Sequence, residues 1–111
     1  MRHYPLEKAA RRPVTHDPEL EKTVLVEDRV SCMAGLSHIA LVPGNTARAH
    51  SHSDAHEVFY CIEGSVDFGV GDSEVRLSAG DCLVVEPGEV HSIKRVIEET
   101  RLLYFFALSG G

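Results

Sequence analysis

The sequence predicts an all-β protein with a closed or nearly closed arrangement of strands. Short apolar or alternating segments recur at roughly 8–12-residue spacing, with Gly, Pro, Asn or Asp between them. No window keeps apolar residues at the helical positions i, i+3, i+4 and i+7 for more than about two turns. Because so many strands need protected edges, closure of the sheet is the expected solution.

The N-terminal residues predict an arm rather than a central strand. Pro5, Pro13 and Pro18 each lack a backbone N–H and fix φ, which disfavours a helix and an internal strand. Plain surface chain and a short edge strand both fit this composition. The expected organisation is an arm over residues 1–21, a barrel domain over residues 22–108 and a tail over residues 109–111.

Nine strands are expected after the arm, and turn residues separate them. In chain order they cover residues 22–27, 36–42, 46–52, 57–62, 65–70, 73–77, 82–85, 91–96 and 102–108. The first contains Val24-Leu25-Val26, the fourth is rich in β-branched and aromatic residues, and the sixth alternates in polarity. Pro-Gly pairs follow the second and seventh strands, and Gly-Asp pairs follow the fifth and sixth.

Charge and hydropathy exclude several classes of function. The net charge of -6 argues against a general nucleic-acid surface, which needs a basic patch. No apolar run is long enough to span a membrane, and the first residues lack the apolar segment of a signal peptide. We therefore expect a cytoplasmic protein that binds neither nucleic acid nor membrane.

The cysteines predict no disulfide framework. Cys32, Cys61 and Cys82 are far apart and form no Cys-x-x-Cys pair. In a reducing compartment they are expected to be small buried hydrophobic residues rather than ligands of a zinc knuckle.

A histidine-rich segment at residues 50–57 holds the candidate functional residues. His50 and His52 are two apart, so in a strand both side chains point to the same face, and Glu57 follows closely. Imidazole and carboxylate are the usual protein ligands of transition metals. A polar, solvated loop is the alternative for this segment taken alone. His56 is adjacent to Glu57 and is expected to face the other way.

The spacing around these residues resembles a known motif. Gly44-x5-His50-x-His52-x4-Glu57-x6-Gly64 is similar to the first motif of the cupin family, with no departure. The resemblance covers residues from about 22 to 108, because a second motif follows at a distance typical of compact members.

The second motif resembles that of cupins with two departures. The segment from Gly80 to His91 has the family's glycine and histidine, but Glu86 stands at the family's proline position, with Pro87 beside it. Arg95 stands where the family has asparagine. That asparagine is not a metal ligand in the family, so the departures concern substrate contacts rather than metal binding.

The resemblance implies a fold and a metal site. A small single-domain cupin, of the conserved-barrel, RmlC-like type, is a small double-sheet β-barrel with a jelly-roll-like path. Its ligands would be His50, His52, Glu57 and His91, around one divalent transition metal per chain (Fe, Mn, Ni, Zn or Cu). These four ligands leave two positions open on an octahedral ion, where water or substrate can bind.

The resemblance also implies a range of functions. Cupins include dioxygenases, decarboxylases, lyases and sugar isomerases, so a small-molecule metalloenzyme is expected, and no catalytic residue is assigned. The alternative is a non-catalytic module that binds or senses a small ligand through its metal. Fold and metal together do not determine the reaction.

Strand alternation predicts the lining of the ligand pocket. If His50 and His52 point inward, so does Arg48, which would then bind a carboxylate of the substrate at the pocket mouth, unless it is a surface arginine. Phe59, Ile93 and Phe105 would supply an apolar lining. His38 is expected either in the pocket or on the surface.

The apolar strands also predict a homodimer. Residues 102–108 are apolar on both faces, and the outward face must be covered. Sheet-on-sheet packing of two chains, which cupins commonly show, would cover it. Cover by the N-terminal arm is the alternative.

Overall fold

Ten strands form the protein in the structure, a computed structural model that describes residues 1–109. In chain order they are β1 (Ala10–Val14), β2 (Asp17–Val26), β3 (Met33–Leu41), β4 (Ala47–His50), β5 (Ala55–Glu63), β6 (Ser65–Val70), β7 (Ser73–Ser78), β8 (Cys82–Val85), β9 (His91–Val96) and β10 (Thr100–Leu108). One short 3-10 turn, Leu6–Lys8, precedes them. Residues 110–111 of the predicted tail lie outside the described residues.

The strands form two antiparallel sheets. The larger has six strands in the order β1-β2-β3-β10-β5-β8, and the smaller has four in the order β4-β9-β6-β7. The predicted all-β, double-sheet, jelly-roll-like fold is confirmed, although the two sheets do not join into a strict barrel. No helix in the described part of the chain is long and apolar enough to cross a lipid bilayer.

The core lies between the two sheets and follows the strand alternation. Glu57, Phe59 and Cys61 alternate along β5 and are all buried, as their spacing predicts. Phe68 of the smaller sheet packs on Phe59, with ring centroids 4.9 Å apart. Both sheets contribute to the remaining core: Leu20, Ile39, Leu41, Val66, Leu77, Val85, Val96, Leu102 and Tyr104.

The N-terminal residues are more ordered than the predicted arm. β1 and β2 form an antiparallel hairpin at the edge of the larger sheet, and the boundary predicted at residue 22 falls inside β2. Pro13 is tolerated because β1 is an edge strand. Pro18 is tolerated because it has no register partner on β1 or on β3. The hairpin thus places the N-terminal residues against the interior of the protein.

Arg95, one of the two departures from the second cupin motif, has a structural role on the smaller sheet. Asp67 is only 4% exposed, and Arg76 bonds both of its carboxylate oxygens at 2.8 and 3.0 Å. Arg95 bonds Asp67 at 2.8 Å and also bonds Glu74. Mainly because of Arg76, and then of Arg95, the pKa of Asp67 lies below its usual value. Arg95 therefore belongs to an ion-pair network and does not line the interior.

Gly64, the last residue of the first motif, is required by close packing. Its φ is +93°, and a Cβ atom there would overlap the carbonyl oxygen of Glu99 and the backbone of Thr100. We expect Gly64→Ala to lower the free energy of unfolding by about 3 kcal/mol, through backbone strain and overpacking together. Urea unfolding measures the change.

A second glycine provides the control for Gly64. Gly71 also has a positive φ, of 57°, but nothing lies within 4 Å of a Cβ atom built there. Gly71→Ala should therefore cost only about 1 kcal/mol, from the left-handed backbone alone. Equal losses in the two variants would contradict the packing explanation.

Candidate metal centre

Four side chains from both sheets converge between the sheets. His50 ends β4, His52 follows in the next loop, Glu57 lies near the start of β5, and His91 begins β9. One potential ligand atom from each residue lies within 4.8 Å of those of the other three. We call these residues the four-residue cluster. They are the residues that the two sequence motifs single out, and they come together as the resemblance to cupins implies, although His52 lies beyond the end of β4 and not within the strand predicted over residues 46–52.

Backbone carbonyl groups orient two of the imidazole rings. The Nδ1 atom of His50 lies 3.0 Å from the carbonyl oxygen of Arg48, and that of His91 lies 3.3 Å from the carbonyl oxygen of Glu89. Because a carbonyl can only accept, Nδ1 is the donor in both rings. Their Nε2 atoms then present lone pairs to the interior, which is the usual arrangement of metal-binding histidines.

The inward-facing atoms form a set that a cation would satisfy. The Nε2 atom of His91 lies 2.8 Å from Oε1 of Glu57, and the Nε2 atom of His52 lies 3.6 Å from the same oxygen. Nε2 of His52 is buried and has no hydrogen-bond partner among the described residues. Lone pairs that face one another at these distances repel unless a proton or a metal ion lies among them. The donor set therefore fits a divalent transition metal.

Burial and charge affect the histidine pKa values in opposite directions. Burial lowers the pKa of His52, and the neighbouring Glu57 offsets this only partly. Burial also disfavours the charged form of His91, but its hydrogen bonds to Glu57 and to the Glu89 carbonyl outweigh burial, so its pKa is raised. A proton therefore competes with a metal ion for Nε2 of His91 more strongly than it would at an ordinary histidine.

Metal affinity is expected to fall as pH falls through the raised pKa of His91, because proton and metal compete for the same Nε2 lone pair. Zinc binding to the metal-free protein should release this proton, and calorimetry in buffers of different ionisation enthalpy counts the protons released. Glu57→Gln removes the carboxylate that raises the pKa of His91, so the number of protons released per zinc ion bound near neutral pH should decrease, measured at zinc concentrations that saturate the variant. An unchanged release would contradict the assignment of the proton to His91.

A mostly apolar cavity adjoins the cluster. Its volume of about 160 Å³ is close to that of a protein cavity that holds one benzene ring. Phe59 and Tyr104 stack with centroids 5.6 Å apart, and Phe106 meets the ring of His52 edge-on at 4.9 Å. Burial, and next the charge of Glu57, raise the pKa of Tyr104, so its hydroxyl group stays protonated. The cavity can hold a ring-sized group beside the cluster.

Two of the predicted lining residues line the cavity and three do not. Phe59 and Ile93 lie in its wall, whereas Arg48, His38 and Phe105 lie outside it. The structure thus places Phe105 outside the pocket and agrees with the surface alternative for Arg48 and His38, for reasons that differ between strands.

A strand irregularity displaces Arg48. Ala47 pairs with Ile93 and His50 pairs with His91, so β4 has one more residue than β9 between these pairs. This bulge shifts the alternation, and Ala47 lines the cavity instead. The Arg48 guanidinium group donates to the carbonyl oxygen of His16 at 2.8 Å.

The alternation of side chains along β10 explains why Phe105 and His38 lie outside the cavity. Tyr104 and Phe106 lie opposite Phe59 and Glu57 of β5, so the even-numbered residues of β10 face the cavity. Phe105 faces the other side of the sheet. His38 is on that side as well, where Arg101 donates to its Nε2 at 3.0 Å.

His56 lies apart from the cluster, as its strand position predicts. Its Nε2 atom bonds Oε1 of Glu86 at 3.0 Å, and both side chains are exposed. The neighbour in the histidine-rich segment is therefore a useful control for the four-residue cluster.

The β1–β2 hairpin supplies site residues that the sequence analysis misses. The ring of His16 lies against that of His50, tilted by 41° with centroids 4.9 Å apart, and Asp17 is 1% exposed. Asp17 accepts a hydrogen bond from the backbone N–H of Arg48 at 3.0 Å through one oxygen, and its other oxygen has no partner among the described residues. Both residues and Lys22 line the cavity. The adjacent His-Asp pair was the only sequence signal for them.

Comparisons with known proteins identify relatives of the chain. A family model described as Cupin domain matches residues 37–107. The tetracenomycin polyketide synthase protein TcmJ of Streptomyces glaucescens is 35% identical over 74 residues, which are 66% of this chain and 50% of that protein. The chain spans about half the length of this relative. The family match begins in β3, so the β1–β2 hairpin lies before it.

Solved structures resemble the fold over most of its length. A predicted oxalate decarboxylase from Thermotoga maritima superimposes with a TM-score of 0.81 at 20% identity, and the match covers 96% of this chain and 99% of that one. An RmlC-like cupin from Shewanella frigidimarina gives a TM-score of 0.77 at 20% identity, covering 99% and 94%. At these identities the similarity concerns the fold.

Proposed function

The chain belongs to the cupin family, and we propose that it is a small-molecule metalloenzyme whose four-residue cluster holds one divalent transition metal. The observation that carries this proposal is the convergence of three imidazole nitrogens and a carboxylate oxygen within 4.8 Å, beside a cavity. His50, His52, Glu57 and His91 would hold the ion. Bound there, iron, manganese, nickel, zinc or copper would supply Lewis-acid chemistry, and the redox-active metals would supply redox chemistry.

The surrounding side chains would bind and orient the substrate. The apolar wall encloses a ring-sized group and keeps water from the metal, which strengthens electrostatic interactions inside. Tyr104 lines the cavity with a neutral hydroxyl group, which can donate a hydrogen bond to a substrate oxygen. Metal, apolar wall and donor together suit a cyclic or branched substrate that carries oxygen.

The proposed reaction class is that of a dioxygenase, decarboxylase, lyase or isomerase. Two similar proteins support small-molecule chemistry: one is described as a predicted oxalate decarboxylase and the other as a polyketide synthase protein. Both descriptions apply to those proteins. For this chain they guide the choice of test substrates, which should include small carboxylates and cyclic diketones.

Metal analysis followed by activity assays tests the proposal. The protein should be purified without chelator and without a nickel column, because affinity for divalent metals partly reflects which metal is available. We expect close to one metal ion per chain, and oxygen consumption, carbon dioxide release or isomerisation with a member of the panel. Metal without turnover would favour the binding or sensor module. The absence of both metal and turnover would contradict the proposal.

We also infer that two chains pair through the outer face of the larger sheet. Tyr60 and Val84, on neighbouring strands of this face, are 43% and 47% exposed. Light scattering should give a mass of twice the 12.2 kDa chain. We expect Tyr60→Glu to give a monomer, and an unchanged mass in this variant would contradict this choice of face.

A further inference from the structure

Lys22 is the only lysine or arginine among the described residues that line the cavity. Its neighbours on the same face of β2, Leu20 and Val24, are each 7% exposed and belong to the interior. Its register partner on β3 is Ile39, another residue of the cavity wall. The backbone therefore directs the Lys22 side chain inward, between core residues.

Lys22 has no counterion in the described part of the chain. No carboxylate oxygen of residues 1–109 lies within 4.0 Å of its ammonium nitrogen, whereas Arg12, Arg76 and Arg95 all form ion pairs. A cation beside an apolar wall is stable only if it reaches water or an anion. A lysine that merely extends to water is the simpler alternative, and the experiment below separates the two.

Lys22 takes the place that the sequence analysis gives to Arg48. The guanidinium group of Arg48 bonds the carbonyl oxygen of His16, and its backbone N–H bonds Asp17, so Arg48 holds the hairpin to β4. The cation for an anionic ligand then comes from β2, a strand that precedes the region matched by the family model.

We propose that Lys22 binds the carboxylate of a small cyclic carboxylic acid in the cavity. An ammonium group offers three donors and a compact charge, which suits a carboxylate oxygen. The volume of about 160 Å³ limits the enclosed part to about one six-membered ring. This inference rests on the proposed function, which assigns the metal its role. The contact between Lys22 and the carboxylate can nevertheless be tested without metal.

The test compares benzoate with benzamide, which has nearly the same shape and no charge. Both are titrated by ¹H–¹⁵N NMR at pH 8 into the zinc-loaded full chain and into the same chain after chelation. Because Lys22 is half-buried, we expect the wild type to prefer benzoate by about three- to tenfold in both forms. Lys22→Met should abolish this preference in the chelated form, where no metal can attract the anion.

Two variants control for other effects of the substitution. Lys22→Arg keeps the charge and should retain most of the preference. Lys8→Met removes an exposed lysine outside the cavity and should leave the preference at the wild-type value. Spectra that superimpose away from the cavity show that Lys22→Met has folded.

The outcomes separate this inference from the proposed function. If zinc does not bind but the chelated chain prefers benzoate in a Lys22-dependent way, the contact is confirmed and the metalloenzyme proposal fails. If zinc binds but the chelated wild type prefers neither probe, or Lys22→Met keeps the preference, the contact is refuted. Absence of benzoate binding in both forms also refutes it.

Discussion

Replacing any one residue of the four-residue cluster with alanine is expected to weaken zinc binding by at least about 100-fold. Loss of a group that only orients a ligand already costs about 10–100-fold, so loss of the ligand itself should reach the upper end or exceed it. Competition with a fluorescent chelator measures the affinity. The expectation applies equally to His50, His52, Glu57 and His91, because each offers one atom to the same point.

The matched control is His56→Ala. It removes a histidine from the same segment, but one that bonds Glu86 outside the cluster, so zinc affinity should stay within about twofold of the wild type. If His91→Ala bound zinc as tightly as the wild type, the four-ligand arrangement would be wrong. If His56→Ala lost as much zinc affinity as the cluster variants, the substitutions would be acting through the folding of the segment and not through loss of a ligand.

Chelation is expected to destabilise the protein strongly. An ion that binds only the folded chain adds about 2.7 kcal/mol at a free concentration of 100 Kd and about 4.1 kcal/mol at 1,000 Kd. The physical reason is the origin of the ligands, since β5 belongs to the larger sheet whereas β4 and β9 belong to the smaller one. The ion would therefore link the two sheets, and the melting temperature should fall when EDTA removes it.

Two variants make the chelation result interpretable. In His91→Ala the melting temperature should no longer respond to EDTA, because that variant binds little metal. Gly64→Ala is less stable but retains the cluster, so EDTA should lower its melting temperature as it does in the wild type. A wild-type melting temperature that does not change on chelation would contradict a metal that ties the sheets together.

The positions of most strands and the metal cluster could be predicted from the sequence. Turn residues such as Gly71 and Gly80 interrupt the apolar segments, and nearly all the resulting strand positions agree with the structure. For the cluster, the short spacing of His50, His52 and Glu57 marks the segment, and the resemblance to cupins adds His91. The first of these signals needs only short-range chain geometry, whereas the assignment of His91, 34 residues from Glu57, depends on the resemblance.

The residues that line the cavity were harder to predict, because the lining depends on which alternate residues of each strand face inward. β10 is apolar on both faces, so its sequence alone does not show whether Phe105 or Phe106 faces inward. Only the pairing of Phe106 with Glu57 decides it. In β4 a single extra residue turns Arg48 away, and a bulge of this kind leaves no mark in the residue types.

The sequence leaves a short edge strand open for the N-terminal segment, which agrees with β1, but it does not predict the hairpin with β2, because the prolines dominate the local signal. Pro13 and Pro18 argue against a strand inside a sheet. In the structure, Pro13 lies on the edge strand β1, and Pro18 lies in β2 at a position that has no register partner. Position in the sheet is a tertiary property. As a result, Asp17 falls in the predicted arm and Lys22 at the first residue of the first predicted strand, although both line the cavity.

The most direct test of the central claim is a crystal structure of the zinc-loaded protein with anomalous diffraction recorded at the zinc edge. We expect one anomalous peak per chain, bonded to the Nε2 atoms of His50, His52 and His91 and to the carboxylate of Glu57. The Zn–N distances should be about 2.0–2.1 Å. A peak elsewhere on the chain, or no peak between the two sheets, would contradict the claim that the four-residue cluster is a metal centre.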